Sequence, residues 1–192
     1  MDLSTIGFDA QNLFVSSVQQ AQQMEQLANT ALSQGMDLYQ NGKYVEAAEA
    51  FRRSVALSPT SPYAQTSADY MASAYIKIGR IDKAAEAYKT SMQLDPTSDA
   101  PVIKLANLYF AEGPHQEALW QYEKAVRINP SANNFFSLGQ THLALEDYLH
   151  AESAFSRVAR MEPDSPNGYG EDIYGTKMNT DFDEYSGFCG VA

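Results

Sequence analysis

Apolar residues recur along this chain with helical spacing, and the clearest example is the segment 99–132. The apolar face of its first half consists of Val102, Leu105, Ala106 and Tyr109, which lie three to four residues apart. Gly113 ends this first helix, and Pro114 follows where a second helix can begin without losing a needed amide. Pro130 closes the second helix, because proline cannot donate to the preceding turn. The segment therefore predicts a helix-turn-helix unit.

The same pattern occurs four times, over residues 28–61, 62–98, 99–131 and 132–163. Each second helix contains an alanine, an aromatic ring one turn later, and a closing proline. The alanines are Ala47, Ala84, Ala118 and Ala151, the rings Phe51, Tyr88, Tyr122 and Phe155, and the prolines Pro59, Pro96, Pro130 and Pro163. The first helices align the small residues Gly35, Ala72, Ala106 and Gly139. Small and aromatic columns of this kind predict close helix crossings with rings wedged between them.

These columns and a period of about 34 residues resemble the tetratricopeptide repeat. The resemblance covers residues 28–163 and implies an all-α fold, a right-handed superhelical α-solenoid of four helix pairs. Two columns depart from the family pattern. The large aromatic residue often found early in the first helix is missing, and its column holds Ala31, Ala68, Val102 and Phe135. His142 stands where Tyr75 and Tyr109 occur in earlier copies.

The turns differ between copies. Gly42 suits the left-handed position that ends a helix, and the second repeat is expected to begin at Ser61, a cap followed by a first-turn proline. The fourth turn has no glycine, so we expect Asp147 to cap a second helix that runs to about Met161.

Residues 1–27 precede the repeats and contain a predicted amphipathic helix over 8–27. Its apolar side consists of Leu13, Phe14, Val18, Ala21, Met24 and Leu27, with glutamines opposite. We expect this helix to cap the repeat stack, since terminal repeats need a covering element. The alternative is a helix that serves oligomerisation or partner binding.

Residues 164–192 form an acidic tail rich in glycine and tyrosine. Such a composition buries too little apolar surface to offset chain entropy, which predicts an irregular, disordered segment. Its aromatic residues favour the alternative of a tail docked loosely on a surface, including the groove of this protein itself.

Composition excludes several classes of function. The formal charge of −11 and the pI of about 4.6 leave no basic face for nucleic acid or anionic membrane. No apolar run approaches the ~18 residues of a membrane-spanning helix, and the first residues lack the basic and apolar parts of a secretory signal. A single cysteine, Cys189, excludes an internal disulfide framework, so we expect a cytoplasmic protein.

Candidate chemistry is sparse. Phosphate loops, dinucleotide fingerprints, paired cysteines and serine elbows do not occur in the sequence. His115, His142 and His150 lack the i, i+4 spacing of a metal pair, and no second type of ligand is evident beside them. We expect His142 to pack and the other two to lie at the surface. The sequence thus predicts a non-enzyme without cofactor or metal.

The family resemblance implies that the other face of each first helix lines a concave peptide-binding groove. Its residues are Leu32, Met36, Tyr39, Asp69, Ser73, Ile76, Ile103, Asn107, Phe110, Phe136, Gln140 and Leu143. The lysine, arginine and asparagine clamp by which some relatives hold a terminal carboxylate is not matched here, since its cationic part is absent. Trp120 occupies a column expected on the outer face, where it is either a contact site between subunits or an aromatic half-covered by its neighbours.

These features predict a scaffold or adaptor that binds an apolar peptide or helix of another protein in the groove. Two alternatives remain open. A hydrophobic client would make the chain similar to the tetratricopeptide chaperones of type III secretion, which carry an N-terminal helical extension but usually three repeats. Insertion of the N-terminal helix or tail into the groove of a second copy would instead make it a self-assembling structural protein.

Overall fold

The computed structural model describes the backbone of residues 3–163 and the side chains of residues 15–163. This part of the chain contains helices and no strand, which confirms the all-α class. The eight helices are α1 (Leu3–Gln40), α2 (Tyr44–Leu57), α3 (Ala64–Lys77), α4 (Ile81–Leu94), α5 (Ala100–Glu112), α6 (His115–Ile128), α7 (Ala132–Ala144) and α8 (Tyr148–Met161). The chain divides into two compact units, Met1–Leu105 and Ala106–Ala192, whose boundary falls within α5.

In the first unit α1 packs on α2, α2 on α3, and α3 on α4. The predicted small and aromatic columns meet at the α1–α2 crossing, where the Phe51 ring is fully buried against Gly35. A methyl group added to Gly35 would lie 2.6 Å from Phe51 Cε1, so the two helices are as close as glycine permits. The Phe51 ring also stacks on Tyr70 of α3, with centroids 5.4 Å apart.

In the second unit α7 packs on α8 and on α6. A methyl group on Gly139 would lie 2.8 Å from Phe155 Cζ, which repeats the close crossing of the first unit. Ala132, Phe135 and Val158 form a buried cluster beside it. The predicted columns thus place the same kind of contact in both units.

The turns between paired helices share one backbone arrangement. Gly42, Gly79 and Gly113 have φ values of 75°, 70° and 104°, as expected for residues that end a helix in the left-handed region. Glu146 takes the same position in the fourth turn with φ 59°, although it carries a side chain. Asp147 then caps α8 by accepting a hydrogen bond from the amide of His150, as predicted.

Two details of the N-terminal half differ from the expectations, namely the extent of the first helix and the start of α3. The segment 8–27 is helical as expected, but it is continuous with the first repeat helix, because residues 8–40 contain no proline and only Gly35. On its predicted apolar side, Val18, Met24 and Leu27 are 39%, 38% and 47% exposed, so these described side chains are only partly covered. Helix α3 begins at Ala64 rather than at Ser61, whose hydroxyl accepts a hydrogen bond from the amide of Tyr63.

The predicted tail, residues 164–192, lies outside the described residues. None of the helices that the structure describes is both long and apolar enough to cross a membrane.

Candidate protein-binding surface

The predicted groove residues of α1 are partly used for packing. Leu32 is a core residue with 9% exposure, whereas Met36 and Tyr39 are half-buried. The Tyr39 ring makes edge contacts with Tyr44 at 5.1 Å and Tyr70 at 6.3 Å between centroids. Tyr39 therefore joins α1 to α2 and α3, and Met36 is the more adaptable apolar side chain of this group.

The groove residues of α3 include an ion pair. The ammonium of Lys104 in α5 donates to Asp69 Oδ2 at 2.6 Å, and the Asp69 side chain is 18% exposed. Ser73 donates to the Asp69 carbonyl oxygen at 3.0 Å. One turn further on, Ile76 is 38% exposed. This part of the surface therefore combines a neutralised carboxylate with an accessible apolar side chain, and Ile103 beside Lys104 is half-buried.

The groove residues of the second unit are of two kinds. Phe110 and Phe136 are half-buried, and their rings contact those of His115 at 5.0 Å and Phe155 at 5.6 Å. Asn107, Gln140 and Leu143 are exposed, Leu143 at 39%. The side-chain oxygen of Asn107 accepts a hydrogen bond from the Tyr122 hydroxyl. The aromatic members thus support the fold, and the exposed ones are available for contact.

Burial raises the pKa of two tyrosines that pack near these groove residues. Desolvation raises the pKa of Tyr88, and a hydrogen bond with Ser73 partly opposes the rise. Desolvation also raises the pKa of Tyr122. Both phenols therefore stay neutral at physiological pH, and the polarity of the surface comes from amides, hydroxyls and the Lys104–Asp69 pair.

Trp120 of α6 is 57% exposed. Its role as a contact site stays a prediction. Within the first unit, Val45 of α2 is 59% exposed and lies outside the predicted groove columns.

A second group of side chains lies at the turn between α7 and α8. Asp147 contacts His142 Nδ1 at 3.1 Å and His150 Nδ1 at 2.8 Å, and the two imidazole rings stack with centroids 5.2 Å apart. His142 is buried and His150 exposed, as expected. The expectation that no other ligand type accompanies the histidines is wrong, because the turn brings Asp147 between them. The spacing of five and eight residues matches no helical metal motif, so only the turn geometry reveals this cluster.

Comparisons with known proteins agree with this architecture. Two family models, both described as tetratricopeptide repeat, match residues 27–64 and 71–98. None of the curated proteins matches the sequence.

Solved structures show the same fold. A crystal structure of MamA has a TM-score of 0.61 at 21% identity, over 85% of this chain and 96% of that chain. A tetratricopeptide repeat protein from Parabacteroides merdae has a TM-score of 0.66 at 19% identity, over 83% of this chain and 62% of that one. The first such domain of Spaghetti (RPAP3), bound to the HSP90 peptide SRMEEVD, has a TM-score of 0.53 at 20% identity, over 64% of this chain and 95% of that chain. At these identities the likeness is one of fold.

Proposed function

Because this chain is a tetratricopeptide-repeat protein, we propose that it is a non-catalytic scaffold that binds an apolar peptide or helix of another protein. The proposed binding surface consists of the predicted groove residues of the first helices, taken within each unit separately. The observation that carries this proposal is the exposure of Ile76 and Leu143 among these residues, at 38% and 39%. Large apolar side chains exposed at corresponding places of repeated helices favour contact with an apolar ligand.

The charged residues of the surface indicate that such a ligand does not depend on carboxylate groups for binding. Lys104 is the cation that contacts the α3 column, and Asp69 already neutralises it. A ligand that relies on carboxylates, such as the acidic peptide bound by the Spaghetti domain, therefore finds no free cation at this place. Burial of apolar anchors at about 25 cal/mol per Å² supplies the affinity, and exposed amides such as Asn107 and Gln140 fix the register by hydrogen bonding to the ligand backbone.

The test is affinity capture from the native lysate with two variants, each of which replaces one exposed aliphatic residue by glutamate. Ile76→Glu places a charge on the proposed surface, whereas Val45→Glu places the same charge on an exposed apolar position of α2 outside it. A bound protein retained by the wild type and Val45→Glu but lost with Ile76→Glu is the expected result. Equal capture by both variants, with circular dichroism showing both helical, would exclude the α3 column as the binding surface.

A second candidate function is self-assembly, which the exposed apolar side of α1 favours. Val18, Met24 and Leu27, which lie on the predicted apolar side of this helix, are between 38% and 47% exposed. Insertion of this helix into the groove of a second copy would cover them and give a head-to-tail contact. Light scattering should then show a mass that rises with concentration and falls to the monomer value on deletion of residues 1–27. A monomeric full-length chain at high concentration would contradict self-assembly.

The exposed side of α1 also suits a chaperone of the type III secretion kind, in which it would cover an apolar client. A client encoded beside this gene and soluble only on co-expression supports that assignment. Equal solubility of the client with the deletion of residues 1–27 would argue against a role for α1.

A further inference from the structure

The turn of the fourth repeat holds three side chains that share one small space. His142 lies in the last turn of α7, Asp147 is the cap of α8, and His150 lies in the first turn of α8. One potential ligand atom from each, two imidazole nitrogens and a carboxylate oxygen, lies within 4.8 Å of the others. His142 is 8% exposed and packs in the repeat, whereas Asp147 and His150 are open to solvent.

The backbone holds these positions in a fixed relation. The amide of Asp147 donates to the carbonyl oxygen of His142 at 2.9 Å, which closes the turn between the two helices. The same hydrogen bond joins Arg80 to Tyr75 in the second repeat, also at 2.9 Å. The His142–Asp147 relation is therefore part of the repeat fold and exists before any ligand binds.

The residue types at these positions differ from those in the other repeats. In the second repeat the corresponding residues are Tyr75, Arg80 and Lys83, and the Lys83 ammonium lies 5.7 Å from the Tyr75 ring centre. The first and third repeats have Leu38, Lys43 and Glu46, and Tyr109, Pro114 and Glu117. Lys43, Arg80 and Pro114 make no side-chain cap hydrogen bond, and these three turns form without histidine. All three positions carry metal-ligating side chains in the fourth repeat alone among these four.

The backbone of the fourth turn adds a separate observation. Glu146 has φ 59° where the other three turns have glycine. A left-handed residue with a side chain costs about 1–2 kcal/mol, and such costs cluster at functional sites. The fourth turn therefore departs from the others both in its side chains and in its tolerance of backbone strain.

We infer that His142, Asp147 and His150 form a binding site for a divalent transition-metal ion, with zinc as the reference ion. Two imidazoles and one carboxylate are ligands that suit Zn²⁺, Ni²⁺, Cu²⁺ and Fe²⁺, whereas Mg²⁺ and Ca²⁺ prefer oxygen ligands. Water completes the coordination, because Asp147 and His150 are accessible to solvent.

The distances suit this assignment. Tetrahedral zinc, with ligands about 2.0–2.2 Å away, needs ligand atoms about 3.3 Å apart. The Asp147 carboxylate lies 3.1 Å from His142 Nδ1 and 2.8 Å from His150 Nδ1. Side-chain movements of a few tenths of an ångström would lengthen these two distances to the value that zinc needs. In the absence of an ion the Asp147 carboxylate accepts hydrogen bonds from the Nδ1–H groups of both histidines. On binding, these Nδ1 protons move to Nε2, and the imidazoles ligate in their neutral form.

The ion would join the end of α7 to the start of α8. Its binding is expected to stabilise the fourth repeat, because the ligands are brought together only in the folded chain.

The test is calorimetric titration of the full-length chain with Zn²⁺, and with Mg²⁺ for comparison. We expect one zinc per chain at this site and no Mg²⁺ binding there. His150→Gln and Asp147→Asn should each weaken zinc binding at least about tenfold, the lower limit for loss of even an outer-shell partner. Zinc should also raise the thermal midpoint of the wild type but not that of His150→Gln.

Two control variants separate this site from other metal-binding groups. His115→Gln removes a histidine outside the cluster, and Cys189→Ser removes the single thiol of the chain. Both should bind zinc as tightly as the wild type. Zinc binding that survives in His150→Gln, or that is lost in Cys189→Ser, would overturn the assignment, as would the absence of zinc binding by the folded wild type.

Discussion

Replacement of Gly35 by alanine tests the helix crossing on which the first repeat depends. The added methyl carbon would lie 2.6 Å and 2.7 Å from two atoms of the Phe51 ring, whereas ordinary carbon contacts are about 3.5–4.0 Å. The ring has little room to withdraw, because it is fully buried and also stacks on Tyr70. Overpacking of this kind costs about 1–3 kcal/mol, and the gain in helix propensity from glycine to alanine returns about 1 kcal/mol. We therefore expect a net loss of about 1 kcal/mol.

Urea unfolding of the wild type and Gly35→Ala, followed by circular dichroism, measures this loss. The matched control places Gly35→Ala in a Phe51→Leu background, where the flat ring is gone and the same methyl group should cost less or stabilise. The double-mutant cycle then isolates the contact between the two residues. A Gly35→Ala variant as stable as the wild type, or the same effect in both backgrounds, would refute the reasoning.

Three further predictions follow from individual contacts. Glu146→Gly should raise the free energy of unfolding by about 0.5–1 kcal/mol by relieving its positive φ, while Gly79→Ala should lower it by about 1 kcal/mol; equal effects in urea unfolding would contradict this. Phe136→Glu should lower it by at least about 2 kcal/mol, because the ring packs on Phe155 and the adjacent core; an unchanged urea midpoint would show that the ring is dispensable. Above about pH 10 the unfolded phenol of Tyr122 ionises before the buried one, so stability should fall as pH rises; Tyr122→Phe should be less stable at neutral pH but fall less steeply, and parallel pH profiles would exclude this cause.

The repeat period predicts the helices well, because each copy carries its own stop signals. Gly42, Gly79 and Gly113 end first helices where the sequence indicates, and the close contact of Gly35 with Phe51 follows from the aligned columns. The start of α3 is less predictable, because a serine-proline pair suits a turn as well as a cap. The continuity of α1 is difficult to predict for a related reason, since no residue between the extension and the first repeat either breaks or requires a helix.

Helical spacing alone does not predict which residues of the candidate surface are exposed. Helical spacing correctly places Ile76 and Leu143 at the surface, yet it assigns Leu32 and Phe136 to the same columns although both pack inward. Their burial depends on how neighbouring helices pack, and the spacing of residues along one helix does not predict that packing. The His142–Asp147 contact depends in the same way on the turn, which brings together residues that do not share a helix face.

The unbroken course of α1 has a consequence for the order in which this protein forms. A helix of 38 residues is about 57 Å long at about 1.5 Å per residue, yet tertiary packing is observed mainly in its last four turns, from Ala28 onward. Starting a helix is the costly step, whereas extending one is nearly free. The first repeat therefore acts as a template from which the extension grows towards its own beginning. Backbone amides should exchange with deuterium progressively faster from residue 28 back to residue 3, and whatever covers the exposed side of α1 would abolish that gradient.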